Sequence, residues 1–266
     1  MREEELKTLL RSVAQGELSP EQAQEKIQNG MLVTVGDFVQ FDTFREQRSG
    51  IPEVVYAEKK TPTLCVEIAK KIVQEKEVVL FTRLTSTHFK ALEEELLQNT
   101  SLRGEVDQAG RTAIIHSCTF EIPPAQQGLV GVVTAGSSDV PVAREAETVL
   151  RLMGVDVLRS YDIGVAGLHR LITPLKQMVE SDVDAIIVFA GMEGALPSVV
   201  AGLVDIPVLA VPVSVGYGVR RPGEVALWGM LSSCSPGLAV LNIDAGFNAG
   251  AMAGLIARRR NRKRKD

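Results

Sequence analysis

The stretch "GLVGVVTAGSSDVPVAREAETVLRLMGV", residues 128–155, decides the fold. Its first nine residues run through small and β-branched side chains without polar alternation, the pattern of a strand buried on both faces. From Val140 onward, Val142, Ala146, Val149, Leu150 and Met153 recur at helical spacing. A buried strand followed at once by an amphipathic helix is the opening of a βαβ unit. The alternation then repeats. "VDVLRSY" (155–161), "VDAIIVFAG" (183–191), "IPVLAVPV" (206–213) and "GLAVLNID" (237–244) read as strands. Helices near 166–180, 194–203, 222–232 and 246–260 separate or follow them. Five apolar strands alternating with helices imply a parallel sheet covered on both faces, with right-handed crossovers. The expected fold class is therefore α/β: a doubly wound, three-layer domain of flavodoxin-like or Rossmann-like type. Ligands of such sheets sit at the carboxyl ends of the strands.

The chain ahead of residue 128 has a different composition. Residues 1–127 hold six of the 23 glycines, and residues 128–266 hold the other seventeen. "FEIPPAQQG" (120–128), with Pro123 and Pro124, marks the change and predicts two domains, 1–124 and 125–266. Two short helices open the first. In "SPEQAQEKI" (19–27), Ser19 is a helix cap, Pro20 takes the first helical position and Gln22 completes a capping box. "EVVYA" (53–57) and "VVLFT" (78–82) read as strands, "TLCVEIAKKIVQEK" (63–76) and "HFKALEEELLQN" (88–99) as helices, and "RTAIIHS" (111–117) as a last strand. This is a smaller N-terminal α/β domain whose pattern alone names no fold.

Composition sets limits on function. The 266 residues are 45% hydrophobic and 23% charged with a net charge of -4, which gives no general attraction to nucleic acid or anionic membranes. The exception is "RRRNRKRKD" (258–266), with seven basic residues, read as a frayed and solvated end; a phosphate-contacting or nucleic-acid tail is the alternative. "MREEELKTLL" does not resemble a signal peptide, and no apolar run approaches the roughly 18 residues of a membrane span. Three widely spaced cysteines form neither a disulfide framework nor a zinc site. The expectation is a cytoplasmic protein with reduced thiols.

The strand ends supply the candidate site. The first ends in Gly136, Ser137, Ser138 and Asp139, where small residues let backbone approach a ligand and a helix N-terminus offers amide donors to a phosphate. Asp139 or Ser138 would equally serve as a plain helix cap. The loop is not GxGxxG, so the usual dinucleotide fingerprint is absent. The second end, "SYDIGVAGLHRL" (160–171), brings Asp162, His169 and Arg170 beside two glycines. His169 is an acid, base or donor candidate or a partly buried structural histidine, and Arg170 a phosphate or carboxylate grip or an ordinary ion-pair partner. The third, "FAGMEGALPSVV" (189–200), carries Gly191, Met192 and Glu193, a carboxylate at a helix entrance where the dipole favours its charge. The fourth, "VPVSVGYGVRRPGE" (211–224), offers Ser214, Tyr217, Arg220 and Arg221 in a glycine-rich loop. Cys65 and Cys118 read as packing thiols, and local pattern gives Cys234, just ahead of the fifth strand, the same role.

A family resemblance changes the reading of Cys234. "GVVTAGSSDVPVAREAETVLRLMGV", "YDIGVAGLHRL", "FAGMEGALPSVVAGLVDIPVLAVP", "GYG" and "SSCSPGLAVLNIDAGFNAGAMA" together resemble the LarB family of nickel-pincer cofactor biosynthesis proteins. "DTFREQRSGIPEVVYAEKKT" (42–61) is similar to that family's first domain. The C-terminal half is also similar to the PurE carboxylases of purine synthesis, which lack the "SCxPG" cysteine. The resemblance implies that carbon dioxide or bicarbonate is joined to the pyridinium ring of nicotinic acid adenine dinucleotide. It also implies hydrolysis of the phosphoanhydride, giving pyridinium-3,5-biscarboxylic acid mononucleotide and AMP. Cys234 would be the nucleophile, and Glu193 the acid–base group or the holder of the hydrolytic water, with Mg2+ if a metal takes part. Ser137, Ser138 and Asp139 would hold ligand, with His169 and Arg170 near its carboxylate or phosphate. Arg45 and Arg48 would contact substrate or only pack. The implied assembly is a homo-oligomer, an octamer built through the C-terminal domain; no tightly bound organic cofactor, nucleic acid or membrane partner is implied. Two other readings stand beside it: a PurE-like aminoimidazole ribonucleotide carboxylase or mutase needing no thiol, and a non-catalytic nucleotide-binding module.

Overall fold

A computed structural model describes residues 3–30, 32–37, 39–215 and 221–265. The chain divides into two compact units, residues 1–121 and 122–266, at the Pro123–Pro124 stretch.

The first unit opens with α1 (Glu3–Ala14) and α2 (Pro20–Gly30). The capping box forms as its residues dictate: the Ser19 amide donates to Gln22 Oε1 at 3.0 Å and the Gln22 amide to Ser19 Oγ at 3.2 Å. A hairpin of β1 (Leu32–Val35) and β2 (Val39–Asp42) and a short helix α3 (Arg45–Ser49) follow. Then come β3 (Val54–Tyr56), α4 (Pro62–Lys76), β4 (Val78–Thr82), α5 (Ser86–Gln98), β5 (Leu102–Asp107) and β6 (Thr112–Ser117). The main sheet has the order β3-β4-β6-β5, with β3 and β4 parallel and the other pairs antiparallel. Three of its strands and both flanking helices match the sequence reading. The hairpin and β5 do not announce themselves: "LRGEVD" buries one side chain in six, so it carries no apolar alternation.

The second unit contains β7 (Leu129–Thr134), α6 (Val140–Leu152), β8 (Asp156–Ser160), α7 (His169–Glu180), β9 (Ala185–Ala190), α8 (Leu196–Ala201), β10 (Val208–Pro212), α9 (Glu224–Leu231), β11 (Leu238–Val240) and α10 (Gly246–Lys265). All four strand pairings are parallel, in the order β11-β10-β9-β7-β8. Counted within the unit this is 2-1-3-4-5, the flavodoxin-like winding. Strands β7, β9 and β10 are buried almost throughout, which is why they read as unbroken apolar runs. The direction of winding reverses between β7 and β9. At such a switch point the loops leaving the carboxyl ends part to opposite faces and open a crevice.

Helix α10 packs along α6 at very short range. A Cβ on Gly250 would lie 2.5 Å from the Ala146 carbonyl oxygen, so only glycine permits this approach. The helix runs to Lys265, past the expected end near 260, and three side chains of the basic segment, Arg258, Arg260 and Asn261, are held rather than solvated. Arg258 Nε donates to the Met153 carbonyl at 2.7 Å, and Asn261 Nδ2 donates to the Gln126 carbonyl at 2.7 Å. Arg260 pairs with Asp182 at 2.7 Å and Asp184 at 3.1 Å. Backbone and carboxylate acceptors within the same unit thus hold three of the tail's polar side chains. Among the described residues no helix is long and apolar enough to cross a membrane.

Candidate active site at the carboxyl ends of β7 and β9

Beyond Thr134 the chain keeps its place in the sheet for one more residue, the Ala135 amide donating to the Phe189 carbonyl at 2.9 Å. It then turns through Gly136 into a 3-10 turn, Ser137–Asp139, that leads into α6. Asp139 is 2% exposed, while Ser137 and Ser138 lie open to solvent. The Gly136 amide donates to Asp139 Oδ2 at 2.8 Å, so the carboxylate closes its own loop, as a cap would. Gly136 is extended and has room for a Cβ, so its contribution is that amide and not its lack of a side chain. Burial pushes the Asp139 carboxyl up to about 6; the Gly136 and Ala135 amides oppose this, and the charges of Asp162 and Asp244 add to it. A buried carboxyl whose charged neighbours are carboxylates is unusual outside functional sites.

The β8 end is tied to the same place. The Asp162 amide donates to Thr134 Oγ1 at 3.0 Å, and the Ile163 amide donates to the Thr134 carbonyl at 3.0 Å. Gly164 crosses Ala135 so closely that a Cβ would stand 2.7 Å from its carbonyl oxygen. Arg170 Nη1 donates to the Asp162 carbonyl at 2.6 Å and to its Oδ2 at 3.2 Å. Its guanidinium therefore closes the 162–170 turn, and His169 is the exposed first residue of α7.

The β9 end turns at Met192, with φ 49°, and Gly194, with φ 67°. Gly191 packs close to Asp139: a Cβ there would lie 2.5 Å from the Val215 carbonyl oxygen and 3.6 Å from Asp139 Oδ1. Glu193 is exposed, and it stands three residues ahead of α8, not in its first turn. Six residues of α8 give it little helix dipole to feel. The β10 end continues the ladder, the Val213 amide donating to the Ala190 carbonyl at 3.0 Å. Ser214 follows, its amide held by Asp244 Oδ1 at 2.8 Å. Tyr217 and Arg220 lie outside the described residues.

Gly136, Ser137, Ser138, Asp139, Asp162, Arg170, Gly191, Met192, Glu193 and Ser214 therefore belong to loops leaving one end of one sheet. Thr134 and Asp244 join them, and the sequence reading missed both. Asp244 had a signal: like Asp139, it is an acid that ends an apolar run just before small residues and a helix. Thr134 had none, being one hydroxyl inside a strand.

Cys65 packs as its sequence predicts, whereas Cys118 and Cys234 depart from the packing role that local pattern gave them. Cys65 is buried on α4, and burial pushes its thiol up to about 11. Cys118 is exposed and not a packing thiol, because it falls in the turn after β6, where its Sγ donates to the Thr100 carbonyl at 3.1 Å. Cys234 is exposed too, which removes the packing role. It lies between α9 and β11, at the amino end of the sheet, opposite the crevice. Its neighbours are fixed: Ser198 Oγ donates to Ser233 Oγ at 2.8 Å, and Ser235 Oγ donates to the Ser198 carbonyl at 2.8 Å. Serines on both sides thus clip the cysteine loop to α8, presenting the thiol to solvent. In the first unit, Arg45 engages Glu53 at 3.0 Å and Arg48 engages Asp42 at 2.6 Å.

Comparison with known proteins agrees with this architecture. Residues 129–266 match the family described as AIR carboxylase, and residues 33–117 match the LarB/PurE-like N-terminal domain. An uncharacterized protein of Methanocaldococcus jannaschii is 41% identical over 257 residues, covering 95% of this chain and 97% of that protein. The N5-carboxyaminoimidazole ribonucleotide mutase of the same organism is 34% identical over 130 residues, covering 47% of this chain and 76% of that enzyme. The mutase of Thermotoga maritima is 30% identical over 142 residues, covering 48% and 73%. The mutases thus align with about half of this chain, whereas the archaeal protein shares nearly its full length. The chain belongs to the LarB family, with a PurE-like C-terminal domain, and so to the enzymes of carboxylase and mutase type.

Proposed function

We propose that this protein carboxylates the pyridinium ring of nicotinic acid adenine dinucleotide and hydrolyses its phosphoanhydride, giving the biscarboxylate mononucleotide and AMP. The observation that carries the reading is the exposed Cys234 within "SSCSPG", on a PurE-like domain joined to a LarB-type N-terminal domain. A mutase reading accounts for the crevice but gives the thiol no work.

The chemistry explains why a thiol is required. A pyridinium ring is electron-poor and does not attack carbon dioxide. The Cys234 thiolate adds to the ring carbon opposite nitrogen, forming a C–S bond and moving a ring electron pair to nitrogen. The resulting enamine is nucleophilic at the adjacent carbon, which forms the C–C bond to carbon dioxide. A base takes the proton from that carbon, the C–H pair returns to the ring, and the C–S bond breaks to release thiolate and restore aromaticity. An unperturbed thiol titrates near 8.5, and the cationic ring itself favours the anion. Glu193, exposed beside the crevice, is our choice for the base or for orienting the water that attacks the phosphoanhydride. The 136–139 loop supports the nucleotide with the amides and hydroxyls of Ser137 and Ser138, the Gly136 and Asp139 amides being engaged within the loop. Among the described residues no group of three or more His, Cys, Asp or Glu side chains is placed to hold a metal ion. No step here passes through magnesium, which enters the assay as a counterion of the substrate.

Within one protomer Cys234 and the crevice lie at opposite ends of a sheet whose strands run five to six residues, roughly 17–20 Å. The mechanism therefore requires a homo-oligomer in which one copy presents Cys234 to the crevice of another. The test is mass spectrometry of the full chain incubated with nicotinic acid adenine dinucleotide, bicarbonate and magnesium, beside Cys234→Ala. Carboxylated mononucleotide and AMP from the wild type alone are expected. Their absence from a folded wild type, or their formation by Cys234→Ala, defeats the reading.

A further inference from the structure

We propose that Asp244 is a positioning residue of this site: through the Ser214 amide it fixes the Val213–Val215 backbone against Gly191, the surface that Asp139 Oδ1 faces. The inference rests on the crevice being the nucleotide site proposed above.

The contacts form one chain. Asp244 Oδ1 accepts from the Ser214 amide at 2.8 Å, and the Asp244 amide donates to the Pro212 carbonyl at 2.8 Å. Asp244 thus brackets β10's carboxyl end from both sides. It does so with φ 54°, a left-handed conformation that costs a side chain roughly 1 kcal/mol and persists only where the surroundings enforce it. The bracketed backbone is the one Gly191 meets, with the Val215 carbonyl 2.5 Å and the Val213 carbonyl 3.5 Å from where a Cβ would stand. Asp139 Oδ1 borders the same point, at 3.6 Å. A change at Asp244 reaches Asp139 through the Val213–Val215 backbone that shares this point with Asp139.

Charge supplies a second link. Among the described residues the charges acting on Asp139 are those of Asp162, with Arg170 attached, and Asp244, and both carboxylates favour the protonated form of Asp139. Glu145 is buried on α6, where it packs at Gly246. Asp139 Oδ2 accepts from Gly136, so a proton on this carboxyl belongs on Oδ1, the oxygen beside Gly191. In that form Asp139 donates to an anionic oxygen, a phosphate or carboxylate, in place of repelling it. Asp244 would therefore set both the shape of the crevice and the pH below which it accepts an anion.

Two measurements on the full chain test this. The first needs no ligand: infrared titration of the protonated-carboxyl band, assigned by its loss in Asp139→Asn. The wild-type midpoint is expected near 6, and Asp244→Asn, which keeps an acceptor for Ser214 but loses the charge, is expected to move it lower. The second is calorimetric binding of nicotinic acid adenine dinucleotide across the same pH range. Asp244→Ala is expected to weaken binding about tenfold, the worth of one or two positioning hydrogen bonds. An unmoved infrared midpoint in Asp244→Asn, or unchanged affinity in a folded Asp244→Ala, overturns the proposal. A wild type that binds no dinucleotide counts against the substrate reading, and the infrared arm alone then decides the role of Asp244.

Discussion

The parallel sheet has a buried aspartate at each end, and the two are treated oppositely. Asp184, at the amino end, is 3% exposed; its Oδ2 accepts from the Leu129 amide at 2.9 Å and its Oδ1 meets Arg260 at 3.1 Å. Asp139, at the carboxyl end, is 2% exposed, and the charges that act on it are those of two more carboxylates. The first arrangement neutralises a buried charge within the fold. Among the described residues no cation pairs with Asp139 itself, although Arg170 pairs with Asp162, so a proton or a ligand donor can take the place that Arg260 fills at Asp184. The contrast marks the carboxyl end as the candidate for binding. Cys234 complicates that division, because the residue with the strongest claim to chemistry sits at the compensated end.

The largest expected effect follows from that separation. Cys234→Ala is expected to abolish turnover, and so is Gly191→Ala, whose new methyl would press on the Val215 carbonyl and close the crevice. If two copies complete each site, oligomers assembled from an equal mixture of these variants regain activity. With random assembly about a quarter of the sites combine an intact crevice with an intact thiol. Activity in a mixture of two dead variants would establish sharing. Mixed oligomers that stay inactive, when wild type treated the same way recovers, would mean that the two ends never cooperate and would break the thiol mechanism.

A smaller effect concerns Asp139 alone. Its carboxyl is raised in the folded chain to about 6 from an ordinary 3.8, so the protonated form is favoured by folding. The stability this represents is fully present below pH 3.8 and is lost as pH rises through about 6. Near two pH units correspond to about 3 kcal/mol. Urea unfolding at pH 4 and pH 7 is expected to show wild type falling by that order relative to Asp139→Asn, which cannot ionise. A stability difference between the two that stays flat across this range would show that Asp139 is compensated after all, and the contrast with Asp184 would disappear.

How much of this the sequence discloses depends on how far each feature is local. The parallel strands were legible because burial on both faces makes an unbroken apolar run, as in "AIIVFA". The winding was legible only as a class, since strand order is set by crossovers that leave no local mark. Loop residues from Gly136 to Ser214 were legible by a topological rule: they follow strands. What the rule does not supply is partnership. Nothing local says that Arg170 closes a turn onto Asp162, that Asp244 reaches back 30 residues to Ser214, or that Thr134 anchors Asp162. The basic tail shows the same limit. Arg258 and Arg260 read as solvated because their acceptors Met153 and Asp184 lie 105 and 76 residues away.

The smallest effect tests the compensated end. Arg260 is 41% exposed in its side chain and contacts Asp182, which is 64% exposed, and Asp184, which is buried. The Asp182 pair is open to water and is worth little. The Asp184 pair faces a buried carboxylate but is half-solvated on the arginine side. Arg260→Ala is therefore expected to cost about 1 kcal/mol, or about 2–4 °C in Tm for a chain of this size. Arg260 touches no residue of the crevice, so dinucleotide affinity should hold while stability falls. The same calorimetry used for Asp244 measures this, with a thermal scan beside it. A loss of affinity without a loss of stability would place the amino end, tail included, in ligand recognition, and Asp184 and Asp139 would then be two halves of one charged surface rather than opposites.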